Sequence, residues 1–275
     1  MNYQEPLSQH AVAISISESP DMAILGLGSE HLEDAMAEVA RHLLAMGARL
    51  VYGGDLREHG FSTLLFELVT RHRRDADVGD GRSGVTNYLA WPVHSVLPVK
   101  QIESLAKTLK GAAALICLDQ QGHEIPMAKR RTLMQQEPSL MEWSDGLTAM
   151  RRTMATVADA RVVLGGRVEG FKGRMPGVGE EALIALESGQ PLYVLGGFGG
   201  CAYDIATKLG LISNAALRNL EWPGRDRFSD FSSSHLRNGL SNEENETLAR
   251  TAHIDEAVAL VLRGLLRLAK TRPQN

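Results

Sequence analysis

Short apolar runs alternate with amphipathic stretches along most of this sequence. The apolar runs have the length of β-strands, and the stretches between them place apolar residues at helical spacing. Strands that alternate with helices pair in parallel, because each crossover needs a helix-length connection. The pattern therefore predicts an α/β fold with a doubly wound, mainly parallel sheet flanked by helices. The predicted strands cover residues 11–16, 48–52, 88–93, 112–118, 160–164 and 191–195.

Start and stop signals locate the helices between these strands. Ser29 is the expected N-cap of a helix over residues 30–46, and Gly47 ends that helix. Ser241 and Glu244 have the spacing of a capping box and open a helix that runs to residue 250. The other predicted helices cover residues 61–70, 99–109, 125–136, 147–157, 180–188, 203–209 and 254–269.

A chain of 275 residues can bury one large core, and α/β proteins of this size are often one domain. We therefore expect a single domain over residues 1–275, with a loose leader before residue 10. Stretches rich in charge, glycine, proline or serine predict loop insertions near residues 71–86, 120–143 and 218–240. The chain then ends in a helical extension.

Composition narrows the function classes. Apolar residues make up 44% of the chain and charged residues 23%, as in ordinary soluble proteins. A net charge of -4 argues against a nucleic-acid role, and no apolar run reaches the roughly 20 residues of a membrane helix. The chain starts without a signal-peptide pattern. Cys117 and Cys201 are expected to be reduced thiols of a cytoplasmic protein.

Glycine stands at the carboxyl ends of several predicted strands. These positions are Gly53-Gly54, Gly165-Gly166 and the run Gly196-Gly197-Phe198-Gly199-Gly200. In parallel sheets ligands bind beyond these ends, and glycine lets the backbone approach a ligand. The turn Pro176-Gly177-Val178-Gly179 leads into a predicted helix, whose first amides attract anions. The expected ligand is a phosphate-bearing small molecule.

Two of these segments resemble a known family. Leu50-Val51-Tyr52-Gly53-Gly54, with Gly60-Phe61 after it, resembles the strand-two glycine motif of the Lonely-Guy type phosphoribohydrolases. Residues 150–154 and the strand that ends at Gly165-Gly166 are similar to the helix and strand before their Pro-Gly-Gly-x-Gly-Thr-x-x-Glu signature. The chain thus resembles the SLOG superfamily over about residues 11–209. That superfamily is Rossmann-like and also includes DNA-processing protein A.

The sequence departs from the hydrolase signature after Gly165-Gly166. It inserts residues 167–179 and continues with Glu180-Glu181-Ala182, without a Gly-Thr pair. Residues 179–193 are also similar to the glutamate, helix and strand of nucleoside deoxyribosyltransferases. The nearest resemblance is to the sensing branch associated with Sir2 and TIR effectors. It implies binding of an ADP-ribose-like or cyclic nucleotide and a role in antiviral signalling.

The resemblance assigns roles to particular side chains. Glu180 and Glu181 match family glutamates that bind ribose hydroxyls or assist glycosidic cleavage, although carboxylates at a helix start also simply favour the helix dipole. The family holds phosphate with an arginine near the preceding helix, which here is Arg151 or Arg152. The inserted segment also carries Arg167, Lys172 and Arg174. These three residues form either an anion clamp or a solvated loop.

The candidate ligand-binding residues share positions at strand ends or in the segments that follow them. They are Ser17, Glu18, Ser19, Gly53, Gly54, Asp55, Phe61, Arg151, Arg152, Gly165, Gly166, Arg167, Arg174, Pro176, Gly177, Glu180, Glu181, Gly196, Gly197, Phe198 and Gly199. If the protein is an enzyme, Glu180 and Glu181 are the catalytic candidates. The nine histidines lack metal-ligand spacing and no Cys-x-x-Cys occurs, so neither a metal nor a cofactor is expected.

Three functions remain open at this point. The first is a nucleotide sensor that passes ligand occupancy to an effector protein in trans or to its own oligomer. The second is a nucleotide N-glycosidase of the phosphoribohydrolase type. The third is a structural role through the C-terminal helix. The resemblance also implies a homo-oligomer, which we expect to be a dimer.

Overall fold

The computed structural model describes residues 5–54, 56–57, 60–75, 83–213 and 221–271. A seven-stranded sheet forms its centre. The strands are β1 (Ala11–Ser17), β2 (Arg49–Tyr52), β3 (Val85–Leu89), β4 (Ala113–Leu118), β5 (Glu124–Ile125), β6 (Ala160–Gly165) and β7 (Leu192–Leu195). Their order across the sheet is β5-β4-β3-β2-β1-β6-β7, and every neighbouring pair is parallel except β4 with β5.

Helices connect these strands and cover the sheet. They are α1 (Ser29–Ala45), α2 (Phe61–Asp75), α3 (Trp91–Ser95), α4 (Val99–Thr108), α5 (Met127–Arg130), α6 (Leu140–Val157), α7 (Gly177–Ser188), α8 (Gly200–Lys208), α9 (Asn242–Arg250) and α10 (Ile254–Thr271). Short 3-10 turns cover Gly196–Phe198, Arg225–Asp230 and Ser233–Leu236. No helix among the described residues is both long enough and apolar enough to cross a bilayer.

The predicted α/β class is confirmed, and the sheet reverses its strand order at β1. Strands β2 to β4 follow on one side of β1, and β6 and β7 lie on the other. On one face of the sheet, α1, α2 and α10 pack over the larger core cluster, while α6, α7 and α8 pack on the other face. Strands that are buried on both faces appear in the sequence as continuous apolar runs. For this reason the pattern of apolar residues predicts most of these strands correctly.

The predicted strand over residues 88–93 is wrong in position. The strand is β3, which ends at Leu89, and Trp91 and Pro92 open the short helix α3 instead. Proline favours the first turn of a helix, because its fixed φ suits that turn and its missing N–H has no partner there. This correction places α3 directly after the carboxyl end of β3.

Two helix starts also differ from the sequence reading. Gly28, not Ser29, is the N-cap of α1. Ser139 caps α6 in a capping box with Glu142, so that helix starts seven residues earlier than predicted, at Leu140 rather than 147. The predicted capping box of Ser241 is confirmed, since Glu244 donates its N–H to the Ser241 hydroxyl over 3.2 Å.

Segments read as loops or tails carry more structure than expected. In the presumed leader, Leu7 is fully buried and its N–H donates to the Met46 carbonyl over 2.9 Å. The segment 120–143 contains β5, α5 and the start of α6, while residues 125–136 form a helix only from Met127 to Arg130. Helix α2 extends to Asp75, beyond its predicted end at residue 70.

The backbone of α8 meets the end of β6 at a glycine, and this contact can be tested. A Cβ at Gly200 would lie 2.4 Å from the carbonyl oxygen of Gly166, and φ at Gly200 is +64°. Gly210 has a similar φ of +75° but nothing within 4 Å of a built Cβ. We expect Gly200→Ala to lower the free energy of unfolding by about 1–3 kcal/mol more than Gly210→Ala, because only the former overpacks.

Urea denaturation followed by circular dichroism measures both variants. Equal losses at Gly200 and Gly210 would show that the backbone conformation, and not the close approach to β6, limits residue 200.

Candidate functional site

A cavity of about 670 Å³ opens at the carboxyl ends of β1 and β2, beside the point where the strand order reverses. Helices α3, α6 and α7 and residues between 167 and 172 complete its walls. The volume lies within the roughly 300–1,000 Å³ of small-molecule sites, and doubly wound sheets bind ligands at such positions. The residues that line the cavity divide into a polar and an apolar group.

A buried arginine organises the polar group. Arg161 is fully buried in β6, and its Nη1 donates hydrogen bonds to Glu181 Oε2 and, over 2.7 Å, to Ser15 Oγ. The Ser15 hydroxyl donates in turn to Glu181 Oε2. Burial lowers the pKa of Arg161, and the charge of Glu181 opposes this shift. The Glu181 carboxylate is therefore fixed in one position at the cavity wall.

A second ion pair lies beside the first. Arg151 Nη1 donates to Glu180 Oε2, and the Thr148 hydroxyl donates to Glu180 Oε1 over 2.5 Å. Both pairs are buried, so two guanidinium groups balance two carboxylates. A buried charge is strongly unfavourable unless it is paired and hydrogen-bonded. The balance of charge is what allows four ionic side chains to lie together here.

The segment before α7 accommodates Arg151 because it lacks side chains at two positions. A Cβ at Gly173 would lie 2.9 Å from Arg151 Nη1, and a Cβ at Gly177 would lie 2.8 Å from Nη2. The guanidinium therefore packs closely against the backbone at Gly173 and at Gly177, where α7 begins. This contact joins α6, the inserted segment 167–179 and the start of α7.

The two oxygens of the Glu181 carboxylate have different surroundings. Glu181 Oε2 accepts from Arg161 and Ser15, whereas Oε1 has an ion-pair contact of 3.6 Å with Arg151 Nε. Among the described residues, no donor is hydrogen-bonded to Oε1. Glu181 and Arg151 both line the cavity, and Glu180 is not among the lining residues. A fixed carboxylate oxygen accepts a hydroxyl, and the adjacent guanidinium suits an anion.

The end of β1 supplies further polar groups. Ser17 lines the cavity, and its hydroxyl accepts the N–H of Arg167 over 3.0 Å. Arg167 lines the cavity, and its guanidinium pairs with Glu18 in a contact whose side chains are 40% and 70% exposed. An exposed pair of this kind contributes little stability. Arg167 can therefore exchange Glu18 for a ligand anion at small cost.

The apolar group comes from α3 and the residues directly after it, from α6 and from the inserted segment. Val93, Leu97, Trp143, Leu147 and Phe171 line the cavity together. Lys172 places its Nζ 3.8 Å from the centroid of the Trp143 ring, which joins the inserted segment to α6 through a cation–π contact.

A buried polar network holds α3 in place as part of this wall. His94 Nε2 donates to the Leu118 carbonyl over 2.8 Å, and His94 Nδ1 accepts from Arg130 Nε over 2.9 Å. Arg130 Nη2 also donates to the carbonyls of His94 and Leu97, over 2.6 and 3.0 Å. These bonds require a neutral imidazole that carries its proton on Nε2. Burial, followed by the charge of Arg130, lowers the pKa of His94.

Only part of the sequence-derived residue set lines the main cavity. That part consists of Ser17, Gly53, Gly54, Arg151, Arg167, Gly177 and Glu181, and Lys172 joins it. Pro176 is the N-cap of α7, and Glu180 lies behind the wall as the partner of Arg151. Gly165 and Gly166 end β6 with φ of +60° and +104°, and a Cβ at Gly166 would contact Val178 and Cys201.

The structure places the other sequence candidates elsewhere. Glu18, Ser19 and Phe61 line a second cavity of about 600 Å³, which shares Arg57 with the first. Arg152 is exposed and shares a surface depression with Arg174, which pairs with Asp145 at 2.6 Å. Asp55 lies outside the described residues.

The second glycine loop packs against the chain and not against the cavity. A Cβ at Gly196 would lie 2.5 Å from the Ala249 carbonyl oxygen, and a Cβ at Gly197 would lie 2.0 Å from that of Thr251. Phe198 is fully buried in the core, and Gly199 lies against Asp21. These glycines allow a close approach of backbones beside β7, an edge strand two positions from β1.

The sequence reading missed Ser15, Arg161, Thr148, Trp143 and Phe171. The sequence contains an indication for Arg161, because a single charged residue inside an otherwise apolar strand needs a buried partner of opposite charge. Trp143 and Phe171 lie in segments that the sequence predicts to be loops, and their local pattern does not indicate burial. Within the described part of the chain, no group of three or more His, Cys, Asp or Glu side chains converges on a possible metal position.

Comparison with known proteins identifies one family match. A family model described as SLOG cluster2 matches residues 6–238, a range that contains every residue of the cavity lining. A comparison with curated protein sequences gives no match.

The buried charges predict a specific response to mutation. Arg161→Met should lower the free energy of unfolding by about 3–5 kcal/mol, because it leaves the Glu181 carboxylate buried beside only one cation. The double variant Arg161→Met, Glu181→Met should be more stable than the single variant, since it removes both charges. Chemical denaturation measures both. A double variant less stable than the single variant would contradict the charge-pair explanation.

His94 predicts a pH dependence of stability. Its folded pKa is lowered from the ordinary 6.5, so the unfolded chain binds the proton first as pH falls. The contribution of His94 to stability is therefore complete above about pH 6.5 and decreases below it. His94→Gln can keep both hydrogen bonds without titrating. We expect its free energy of unfolding to fall less than that of the unmodified protein between about pH 7 and 5; parallel pH curves would exclude His94 as the cause.

Proposed function

Because the chain belongs to the SLOG cluster2 family, we propose that its cavity binds a phosphate-bearing nucleotide. The observation that carries this proposal is the pairing of Glu181 Oε1 with Arg151 at the cavity wall. The carboxylate oxygen accepts ribose hydroxyls, and the guanidinium suits a phosphate. Arg167 at the end of β1 offers a second contact for phosphate.

The cavity charges support a polyanionic ligand. Among the described lining residues, Arg57, Arg151, Arg167 and Lys172 are basic and Glu181 is acidic, while Glu180 and Glu18 pair with Arg151 and Arg167. Low-dielectric walls strengthen the field of such a group and raise the local concentration of anions.

The finer proposal is an ADP-ribose-like or cyclic nucleotide signal. The second cavity adjoins the first at Arg57 and gives room for a ligand longer than a mononucleotide. In this proposal the protein is a sensor of the kind associated with Sir2 and TIR effectors. Ligand occupancy passes to an effector protein in trans or to a second copy in a homo-oligomer.

Nucleotide N-glycosidase activity is the alternative, and the fixed Glu181 carboxylate favours it. An anionic oxygen held beside a bound ribose stabilises the positive charge that develops on the sugar when the N-glycosidic bond breaks. In this case Glu181 is the catalytic carboxylate and Arg151 holds the phosphate. Glu180 orients Arg151 from behind and does not touch the ligand.

A ligand screen with product analysis separates the two candidates. The thermal unfolding midpoint is measured with AMP, ADP, ADP-ribose, cyclic ADP-ribose and NAD, because a ligand that binds the folded state raises it. Stabilisation with the nucleotide recovered intact supports the sensor. Release of free base that stops in Glu181→Gln supports the glycosidase. A screen without any stabilising nucleotide contradicts the proposed function.

Two neighbouring arginines give a matched test of the phosphate contact. Arg151→Met should weaken binding of the stabilising nucleotide about ten- to hundredfold, since it removes a charge-assisted hydrogen bond. Arg152→Met removes the same charge from the exposed side of the same helix, and should leave affinity unchanged within about twofold.

Calorimetric titration of the folded variants provides both affinities. Circular dichroism confirms that Arg151→Met is folded before titration. Equal effects of the two substitutions would point to a long-range charge effect and contradict a direct contact by Arg151.

A further inference from the structure

The inserted segment forms part of the cavity wall as a loop that is fixed at both ends. Val168 and Met175 are 4% and 6% exposed and belong to the core cluster that includes residues of α7 and α8. Between them, residues 169–174 form neither helix nor strand, and each is exposed or half-buried. We call residues 169–174 the gate loop. Its ends are held by the core, and its middle lies at the surface.

The tip of the gate loop lies between two glycines that differ in their packing. Phe171 and Lys172 form the tip, and both line the cavity. After the tip, Gly173 packs against Arg151. Before it, Gly170 has φ of +65°, and no atom of the described residues lies within 4 Å of a Cβ built on it. Glycine populates both signs of φ, so Gly170 can change its backbone conformation without displacing a neighbour.

Two contacts at the surface hold the gate loop against α6. Lys172 Nζ lies 3.8 Å from the centroid of the Trp143 ring, and Arg174 pairs with Asp145 at 2.6 Å. The side chains of Arg174 and Asp145 are 64% and 47% exposed. Ion pairs and cation–π contacts in exposed positions are individually weak. Both contacts can therefore break without disturbing the folded core.

We propose that the gate loop is a lid that controls access to the cavity, with Lys172 on Trp143 and Arg174 on Asp145 as its latch. In the closed position, which this structure shows, the tip completes the cavity wall. When both contacts break, the tip turns about Gly170 and moves away from α6. The proposal rests on the proposed function in one respect, because the molecule that the lid admits is the nucleotide proposed above.

A phosphate-bearing ligand should favour the closed position. Lys172 lines the same cavity as Arg151 and Arg167, so a bound phosphate attracts its ammonium group. This attraction opposes opening of the tip, and a closed lid slows the release of a ligand. The pair of Arg174 with Asp145 holds the loop with and without a ligand, so it should set the rates of entry and release more than the affinity.

Trypsin measures the opening of the free protein, because it cleaves after lysine and needs the chain to leave the folded surface. When opening and closing are faster than cleavage, the cleavage rate follows the population of the open state. Asp145→Asn removes the charge that pairs with Arg174 and keeps Lys172. Loss of an exposed ion pair should raise cleavage after Lys172 about two- to fivefold, which peptide mapping by mass spectrometry measures.

Two further variants serve as controls for the ion pair. Glu187→Gln removes a comparable pair on α7, in which the side chains of Glu187 and Arg227 are 46% and 56% exposed. It should leave cleavage after Lys172 unchanged. The double variant Asp145→Arg, Arg174→Asp forms the latch again with exchanged charges. Its cleavage after Lys172 should return to within about twofold of the unmodified protein.

Stopped-flow mixing with AMP and with ADP-ribose tests access to the cavity. Tryptophan emission reports binding, since Trp143 lines the cavity. We expect Asp145→Asn to raise the association and dissociation rate constants together, by about two- to fivefold, and to keep the affinity within about twofold. A direct contact between residue 145 and the ligand would instead change mainly the dissociation rate constant and the affinity.

Proteolysis and binding separate the lid from the proposed function. Equal cleavage after Lys172 in the unmodified protein, Asp145→Asn and Glu187→Gln overturns the lid, whether or not a nucleotide binds. Nucleotide binding with rate constants that Asp145→Asn leaves unchanged overturns the control of access, while the proposed function stands. Faster cleavage of Asp145→Asn without binding of either nucleotide supports a moving loop and overturns the proposed function.

Discussion

A guanidinium buried inside the sheet fixes the geometry of the candidate site. Arg161 lies on a central strand where only apolar side chains are otherwise tolerated, and it can remain charged there because Glu181 and Ser15 are bonded to it. The ion pair holds α7 with Glu181 directed toward Arg161 in β6 and Ser15 in β1. The cavity, the start of α7 and the carboxyl ends of the strands are therefore coupled through one ion pair.

The second pair extends this constraint to the opposite side of the cavity. Arg151 joins α6 to α7 through Glu180, and glycines in the inserted segment leave space for its guanidinium. Removing one member of either pair leaves an unmatched buried charge. Such a network is a poor source of net stability, but it holds one carboxylate oxygen and one guanidinium face at a defined separation. A site for a ribose phosphate needs this kind of preorganisation.

The apolar half of the cavity depends on a different set of interactions. Arg130 and His94 tie α3 to α5 through backbone carbonyls, and the inserted segment lies on α6 through Lys172 and Arg174. The inserted segment also packs against Arg151 through Gly173, so the supports of the two halves meet at this residue.

The sequence by itself determined the fold class, most of the strands and the edge of the sheet at which the site lies. Apolar runs and helical spacing reflect burial of whole elements, and glycines at the strand ends mark where a parallel sheet is open. It could not distinguish Glu180 from Glu181 or Arg151 from Arg152, since adjacent helical residues point about 100° apart and packing decides which one faces the cavity. The same holds for the second glycine loop, where the structure shows a close approach to the backbone of Ala249 and Thr251. Only the tertiary structure brought Ser15, Arg161 and Trp143 to the site, because their partners are distant in sequence and close only after the sheet and its helices have packed.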